Sequence, residues 1–269
     1  MIIKVLIENT TGNDMLSCAH GLSLYVETAH HKVLVDAGPD GRFARNAEHM
    51  GIDLSLIDTV ILSHGHYDHS GGLAEFMRIN KTAKIYAGEG YGNPHYDKNL
   101  RYIGVEPAIV NNPRITELKA GLIIDEELGI INCNYQKLHE PIDDCGMTCG
   151  SLCDDGSVRL EKEIFDHEIY LLVKDNNRRV LFTGCTHKGI VNVAMWAASF
   201  CPDAVVGGFH FMDIPREDFR KLDMVSGKLL ELPAIYYTCH CTGLEQYSYM
   251  KEKMGRRLGY LATGDSLTI

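Results

Sequence analysis

No stretch of this chain approaches the roughly 20 consecutive apolar residues that a bilayer span requires, and no lysine- and arginine-rich block interrupts it. The first absence argues against a membrane-spanning protein. The second, with 36 acidic against 26 basic residues and a formal net charge of −10, disfavours nucleic acid or another polyanion as partner. The opening run Met1 to Glu8 alternates like a strand and is too short and wrongly flanked for a secretory signal. With no export signal, the nine cysteines read as free thiols in a reducing compartment, so a cytoplasmic location is expected. Internal repeats and low-complexity linkers are lacking too. What remains is ordinary: 269 residues, 45% hydrophobic and 23% charged, suited to a soluble globular enzyme with a sizeable core.

One segment departs from that background, Ser63-His64-Gly65-His66-Tyr67-Asp68-His69-Ser70-Gly71-Gly72-Leu73, where three imidazoles and a carboxylate fall within six positions. The run Ile57 to Leu62 before it is apolar and β-branched, as in a buried strand, and Ala74 to Met77 after it suits a helix. The histidines therefore sit at a strand end. His64 and His66 are spaced to aim at one ion, whereas Asp68 and His69 diverge and suit a second. Gly65, Gly71 and Gly72 give the turn its backbone freedom. Zinc takes about four ligands, and one loop cannot easily wrap four side chains around one ion. Two divalent ions are therefore predicted, zinc first, with iron or manganese as alternatives. A histidine-rich loop without function or a lone structural zinc is the bland alternative, but structural sites favour closed, cysteine-rich spacing.

Strand-like runs at 2–8, 22–27, 32–36, 57–62, 83–87, 168–174 and 178–183 alternate with helical patterns near 41–50, 72–79 and 189–200. Further strands are predicted at 203–207, 234–238 and 258–262, and helices near 215–231 and 243–255. Pro215 followed by Arg216-Glu217-Asp218 is a helix opening, with proline early and acids in the first turn. This order fits an α/β layered sandwich. Residues 88–160 are the least regular and are expected to carry substrate-contacting loops. There Cys145, Cys149 and Cys153 are spaced four apart. They read either as a metal, iron–sulfur or redox cluster, or as small buried residues on one helical face or in a loop; Gly146 and Gly150 weaken the helix.

The histidine run resembles the HxHxDH signature of the metallo-β-lactamase superfamily. Lys32-Val33-Leu34-Val35-Asp36-Ala37-Gly38 is similar to the early strand that precedes the signature. Leu181-Phe182-Thr183-Gly184-Cys185 is similar to the later strand whose end offers a metal ligand, and Thr238-Cys239-His240-Cys241-Thr242-Gly243 to the last histidine motif. His20-Gly21-Leu22-Ser23, Gly184-Cys185-Thr186-His187 with Gly189-Ile190-Val191-Asn192, and Gly207-Gly208-Phe209-His210 resemble one subgroup, related to the dihydropterin-condensing synthase of methanopterin biosynthesis. The resemblance implies an αββα sandwich of two mixed β-sheets flanked by helices, as a single domain over 1–269, and makes His240 a ligand of the second metal. The family pattern usually has aspartate where Cys185 stands, although some lactamases use cysteine, and a histidine about twenty residues earlier. His167, beside Asp166, is the nearest residue to that vacancy. The preferred repair puts His187 there, with Cys185 supporting or ligating. Cys239 and Cys241 are expected to pack or to support the ligands.

Two metals about 3.5–4 Å apart can share a water whose pKa falls toward ~7. That hydroxide would attack a carbonyl or phosphorus, with Asp68 ligating and orienting it and His210 protonating or stabilising the leaving group. His210 is equally open to a metal-ligating or a structural role. The leading expectation is a zinc-dependent hydrolase of a small anionic, possibly phosphate-bearing metabolite. The alternatives are a synthase condensing a dihydropterin with an aromatic ribofuranosyl phosphate, a diiron redox protein, and a non-catalytic metal-binding module. His20 carries a weaker motif, and His30, His31, His49, His95 and His139 read as surface or loop residues.

Overall fold

The computed structural model describes residues 1–134, 136–152 and 157–269. In chain order the first half contains β1 (Ile2–Ile7), β2 (Ser23–Glu27), β3 (Lys32–Val35), β4 (Thr59–Leu62), β5 (Lys84–Gly88), β6 (His95–Tyr96), β7 (Ile115–Leu118), β8 (Leu122–Ile123) and β9 (Leu128–Ile131). The second contains β10 (Thr148–Leu152), β11 (Val158–Lys162), β12 (Tyr170–Asp175), β13 (Arg178–Phe182), β14 (Ala204–Val206), β15 (Ile235–Thr238), β16 (Leu258–Tyr260) and β17 (Ser266–Thr268). The helices are α1 (Arg42–His49), α2 (Tyr67–Ser70), α3 (Leu73–Ile79), α4 (Ile190–Ala197), α5 (Arg220–Leu230) and α6 (Leu244–Met254).

Two mixed seven-stranded sheets result, in the orders β17-β1-β2-β3-β4-β5-β7 and β16-β15-β14-β13-β12-β9-β8. Strand periodicity explains how they stack. Leu24 and Val26 of β2, Val33 and Val35 of β3, and Ile61 of β4 share one buried cluster with Leu171 and Val173 of β12, Val180 and Phe182 of β13, and Val206 of β14. The intervening residues turn outward: Leu34, Val60 and Leu62 meet Phe43, Ala47, Leu73 and Phe76 from α1 and α3. On the other sheet Leu181, Val205 and Tyr236 meet Val193, Leu222, Met250 and Met254 from α4, α5 and α6. Each fully buried aliphatic side chain contributes about 1.5–3 kcal/mol. The layer order is helix, sheet, sheet, helix, as expected.

Within 215–231 the single expected helix divides into a 3-10 turn, Arg216–Asp218, and α5. Phe219 at the join is buried against Tyr249, 5.0 Å between ring centroids. The 88–160 segment is more ordered than its composition suggests, since β6, β10 and β11 form a small third sheet. This corrects the helical reading of its cysteines. Cys149 lies in β10, paired with Glu161 and His95, and Cys145 lies in a turn at φ 52° beside Gly146 at φ 75°. Strand alternation prevails because the two glycines disfavour a helix. Cys153 lies outside the described residues.

β3, β4 and β5 run parallel, as do β13, β14, β15 and β16. Asp36, Ser63, Gly184, Gly207 and Cys239 follow the ends of β3, β4, β13, β14 and β15 or lie within two residues of them. Both sheets thereby deliver their loops to one edge of the sandwich.

Candidate metal centre

Seven groups, His64, His66, Asp68, His69, Cys185, His187 and His240, converge at that edge. His64 Nε2 lies 3.3 Å from His187 Nε2. His69 Nε2 lies 3.1 Å from Cys185 Sγ and 3.2 Å from His240 Nε2. Asp68 Oδ2 is 3.3 Å from His240 Nε2 and 3.4 Å from His20 Nε2. Two ligand-like triads, His64–Cys185–His187 and His69–Cys185–His240, therefore share one thiol. His66 packs edge-on against both His64 and His187, at 4.6 and 4.8 Å between centroids.

The backs of the His64, His69 and His240 rings are held by buried or half-buried partners. Asp36 Oδ2 accepts from His69 Nδ1 at 2.6 Å and from Ser63 Oγ at 2.7 Å, and Ser63 Oγ lies 2.9 Å from His64 Nδ1. Because Ser63 spends its proton on Asp36, its oxygen accepts from His64. Asn9 Oδ1 likewise receives His240 Nδ1 at 2.8 Å, and Glu8 Oε2 accepts the His240 backbone N–H at 3.0 Å. Each assignment puts the proton on Nδ1 and leaves the Nε2 lone pair of His64, His69 and His240 facing the centre. Glu168 fixes the opposite wall, its two oxygens accepting the N–H groups of His187 at 2.7 Å and Lys188 at 3.1 Å.

Neutral imidazoles presenting lone pairs to one another at 3.2 Å repel unless a cation or a proton lies between them. Tetrahedral zinc, with Zn–N near 2.0–2.1 Å, spaces its nitrogens about 3.3 Å apart, matching the 3.2 and 3.3 Å observed. The residues fit a divalent cation. Burial, reinforced by neighbouring imidazoles, drives His64, His66 and His187 well below the usual histidine range and keeps them unprotonated. For Asp68 burial alone would favour the acid, but positive charge on the imidazole side of the centre, that of His69 first, outweighs it and holds the carboxylate ionised. Burial alone would lower the His69 pKa, but Asp36 and Asp68 raise it in turn, so with no cation a proton takes the cation's place between these groups. Burial pushes the Cys185 thiol up, so a cation is what would make it a thiolate.

Local backbone is sacrificed to this arrangement. Asp36, Thr186, His210 and His240 all have left-handed φ, from 50° to 61°, at about 1–3 kcal/mol each. A Cβ on Gly184 would lie 2.1 Å from Ser63 Oγ, and one on Gly65 would lie 2.2 Å from the Tyr91 carbonyl oxygen. Only glycine permits these approaches.

His210 is half-buried, 4.2 Å from His187 between ring centroids, with its pKa lowered to about 4 by burial first and then by His240. His167 stands apart: its ring is 6.1 Å from His64, whereas that of His187 is 4.8 Å away. Cys239 packs into the core between the sheets, and Cys241 Sγ reaches the Cys185 carbonyl oxygen at 3.7 Å. His20, with half of its side chain exposed, stands at the rim beside Asp68. His30, His49 and His139 are exposed. His95 corrects the surface expectation: it is 1% exposed, because β6 pairs it with Cys149 and Glu163 supplies a buried acceptor 2.7 Å from Nδ1. Reasoning from sequence also passed over the roles of Glu8, Asn9 and Glu168. Glu168, an acid entering an apolar strand, carried the clearest signal.

A cavity of about 260 Å³ opens onto the centre, with Asp68, Cys185, His187 and His210 in its wall and Arg101 at its mouth. His187, His210 and Asp213 also border a second cavity of about 560 Å³, walled by Phe209, Phe211 and Leu222.

Residues 17–132 match the family model described as the metallo-beta-lactamase superfamily. The structural match extends this to the full chain: Tm1679, described as a metal-dependent hydrolase of the beta-lactamase superfamily, superposes with TM-score 0.79 at 26% identity, covering 100% of this chain and 99% of that one. This chain resembles the metallo-β-lactamase superfamily in sequence over residues 17–132 and in fold over its whole length. A relative in Methanocaldococcus jannaschii, 7,8-dihydropterin-6-methyl-4-(beta-D-ribofuranosyl)-aminobenzene-5'-phosphate synthase, is 26% identical over 284 residues, covering 93% of this chain and 90% of the relative. Zn(2+)-bound PqqB from Methylobacterium extorquens shares the fold, with TM-score 0.59 and 14% identity over the full length of both chains.

Proposed function

We propose that this chain is a dinuclear, zinc-dependent hydrolase of a small anionic metabolite, acting in the cytoplasm. The observation that carries the reading is the convergence of the Nε2 atoms of His64, His187, His69 and His240 in pairs 3.2–3.3 Å apart, with the Nδ1 atoms of His64, His69 and His240 held from behind by Ser63, Asp36 and Asn9. In this reading His64, His66 and His187 would hold one ion and Asp68, His69 and His240 the other, with the Cys185 thiol available to both sets. Bound divalent ions would supply Lewis acidity and a nucleophile at neutral pH. Asp68, kept ionised by the positive charge beside it, orients the attacking oxygen through its carboxylate. His210, neutral because its pKa is lowered to about 4, faces the 260 Å³ cavity it lines and offers a ring N–H as a hydrogen bond to the leaving oxygen. Arg101 at the mouth, paired with Asp97 at 2.6 Å, would have to exchange that carboxylate for a substrate phosphate on entry.

A second reading, condensation of a dihydropterin with an aromatic ribofuranosyl phosphate, is favoured by the near-full-length match to the synthase and by the apolar cavity beside His187 and His210, which suits a flat ring. Incubating the metal-loaded protein with that substrate pair and, separately, with a panel of phosphoesters discriminates the two. Hydrolysis of a phosphoester is the expected result, and condensation with every phosphoester left intact would replace the hydrolase reading.

A further inference from the structure

A second histidine cluster lies behind the centre. Ring nitrogens of His66, His95 and His167 lie within 4.8 Å of one another, all three residues are buried, and the Nε2 atom of each has no hydrogen-bond partner among the described residues. The obvious occupant would be another cation. The proton positions argue otherwise: His167 Nδ1 accepts the backbone N–H of Gly65 at 2.9 Å. A ring that accepts at Nδ1 carries its proton on Nε2, leaving no lone pair there for a metal.

The same contacts show what the cluster does to its neighbours. Gly65 is the middle residue of the His64–Gly65–His66 turn, and the bond from its N–H to His167 is the one side-chain hydrogen bond made to that residue's backbone among the described residues. Glu163 anchors both supporting histidines. Its Oε2 lies 2.7 Å from His95 Nδ1, its Oε1 is 3.7 Å from His167 Nε2, and Oε1 also accepts the N–H groups of Ile164 and Phe165 at 3.0 and 2.9 Å. His95 closes the other side of the turn: a Cβ at Gly65 would lie 3.1 Å from His95 Nε2. The Ser63 carbonyl oxygen accepts the Ile169 N–H at 2.8 Å, so the 163–169 segment grips the turn at two successive points.

We propose that His167, His95 and Glu163 are positioning residues that fix the His64–Gly65–His66 turn in its ligating geometry, and that the cluster they form with His66 holds no cation of its own. This rests on the reading of His64 and His66 as metal ligands. Asparagine places its Oδ1 where histidine has Nδ1, so His167→Asn keeps the acceptor for Gly65 while His167→Leu removes it. Glu163→Gln keeps one acceptor oxygen and puts an amide donor in place of the other, so that either His95 Nδ1 or the Ile164 and Phe165 N–H groups meet a donor.

The test measures cobalt(II) stoichiometry, cobalt affinity by chelator competition and the visible spectrum of the cobalt-loaded protein. His167→Leu and Glu163→Gln should bind about 10–100-fold more weakly with shifted visible bands, as loss of a ligand's supporting partner typically does. His167→Asn should recover both affinity and spectrum, and the number of ions should stay that of the unmodified protein in every variant. Unchanged affinity and spectrum in His167→Leu would overturn the proposal, as would one ion fewer in His167→Asn. If His167→Leu does not fold, Glu163→Gln and His167→Asn decide by the same criteria. Failure of the unmodified protein to bind cobalt would instead strike at the metal-centre reading beneath it.

Discussion

The two ends of the sandwich follow opposite rules. At the end where β3 and β4 begin, charges are paired near solvent: His31 bridges Asp58 at 3.0 Å and Asp125 at 2.7 Å, and His30 pairs with Glu127. At the end where those strands finish, Asp36, Glu8 and Glu168 are fully buried, four non-glycine residues adopt left-handed backbone, and imidazole lone pairs confront one another. The first end holds the sheets together at little cost. The second concentrates desolvated charge and strain, the usual mark of a site kept for chemistry at the expense of stability.

The sharpest way to break this contrast is at Asp68. Asp68→Asn should lower turnover by about 10³-fold or more and deplete bound metal, measured by elemental analysis, while leaving the metal-free protein as heat-stable as before. A fall in metal-free stability would mean that the strained end also supports the fold. Phe182→Ala removes a side chain from the layer common to both ends, and should cost about 3–5 kcal/mol of unfolding free energy, read by urea denaturation.

How much of the contrast could be read beforehand depended on sequence locality. His64, His66, Asp68 and His69 lie within six positions, so their shared purpose is visible without a fold. Cys185, His187 and His240 needed family motifs, because only the parallel strand ends of the second sheet bring them to the first. The supports were least legible. Asp36 lay in a noticed motif without a role, and Glu8 and Glu168 act through hydrogen bonds that no spacing encodes. His95 looked like a surface residue because its partners Cys149 and Glu163 lie 54 and 68 positions away. The strands themselves were legible, since alternation survives wherever one face meets the opposite sheet and the other meets a helix.

Smaller effects refine the comparison. Stripping metal with a chelator should lower stability by about 2.7 kcal/mol relative to protein held at 100 times its metal dissociation constant, a change visible in the melting temperature. Asp36→Asn should weaken metal binding about 10–100-fold, because asparagine tolerates the left-handed backbone but its amide cannot accept from Ser63 N–H, Ser63 Oγ and His69 Nδ1 together; chelator competition reads this. The paired end gives the smallest response. Burial alone would lower the pKa of His31, but its hydrogen bond to Asp58 and the charges of Asp58 and Asp125 raise it above 6.5. A raised histidine pKa stabilises the fold below pH 6.5, and this contribution is lost as pH rises through the folded-state value. Thermal melts should show that loss in the unmodified protein and a flatter profile in His31→Asn, the difference lying within about 1 kcal/mol.

The bond from the His240 N–H to Glu8 joins residues 232 positions apart, and that separation sets an order of events. A pocket whose walls come from the first strand and from a strand near the other end of the chain cannot exist in a half-made chain, and slow long-range closure must precede it. Metal capture would then come after the sheets have docked rather than guiding them together. A freshly refolding chain should regain its far-ultraviolet circular dichroism before it quenches a metal-sensitive dye, making cation uptake a stopwatch for completion of the fold.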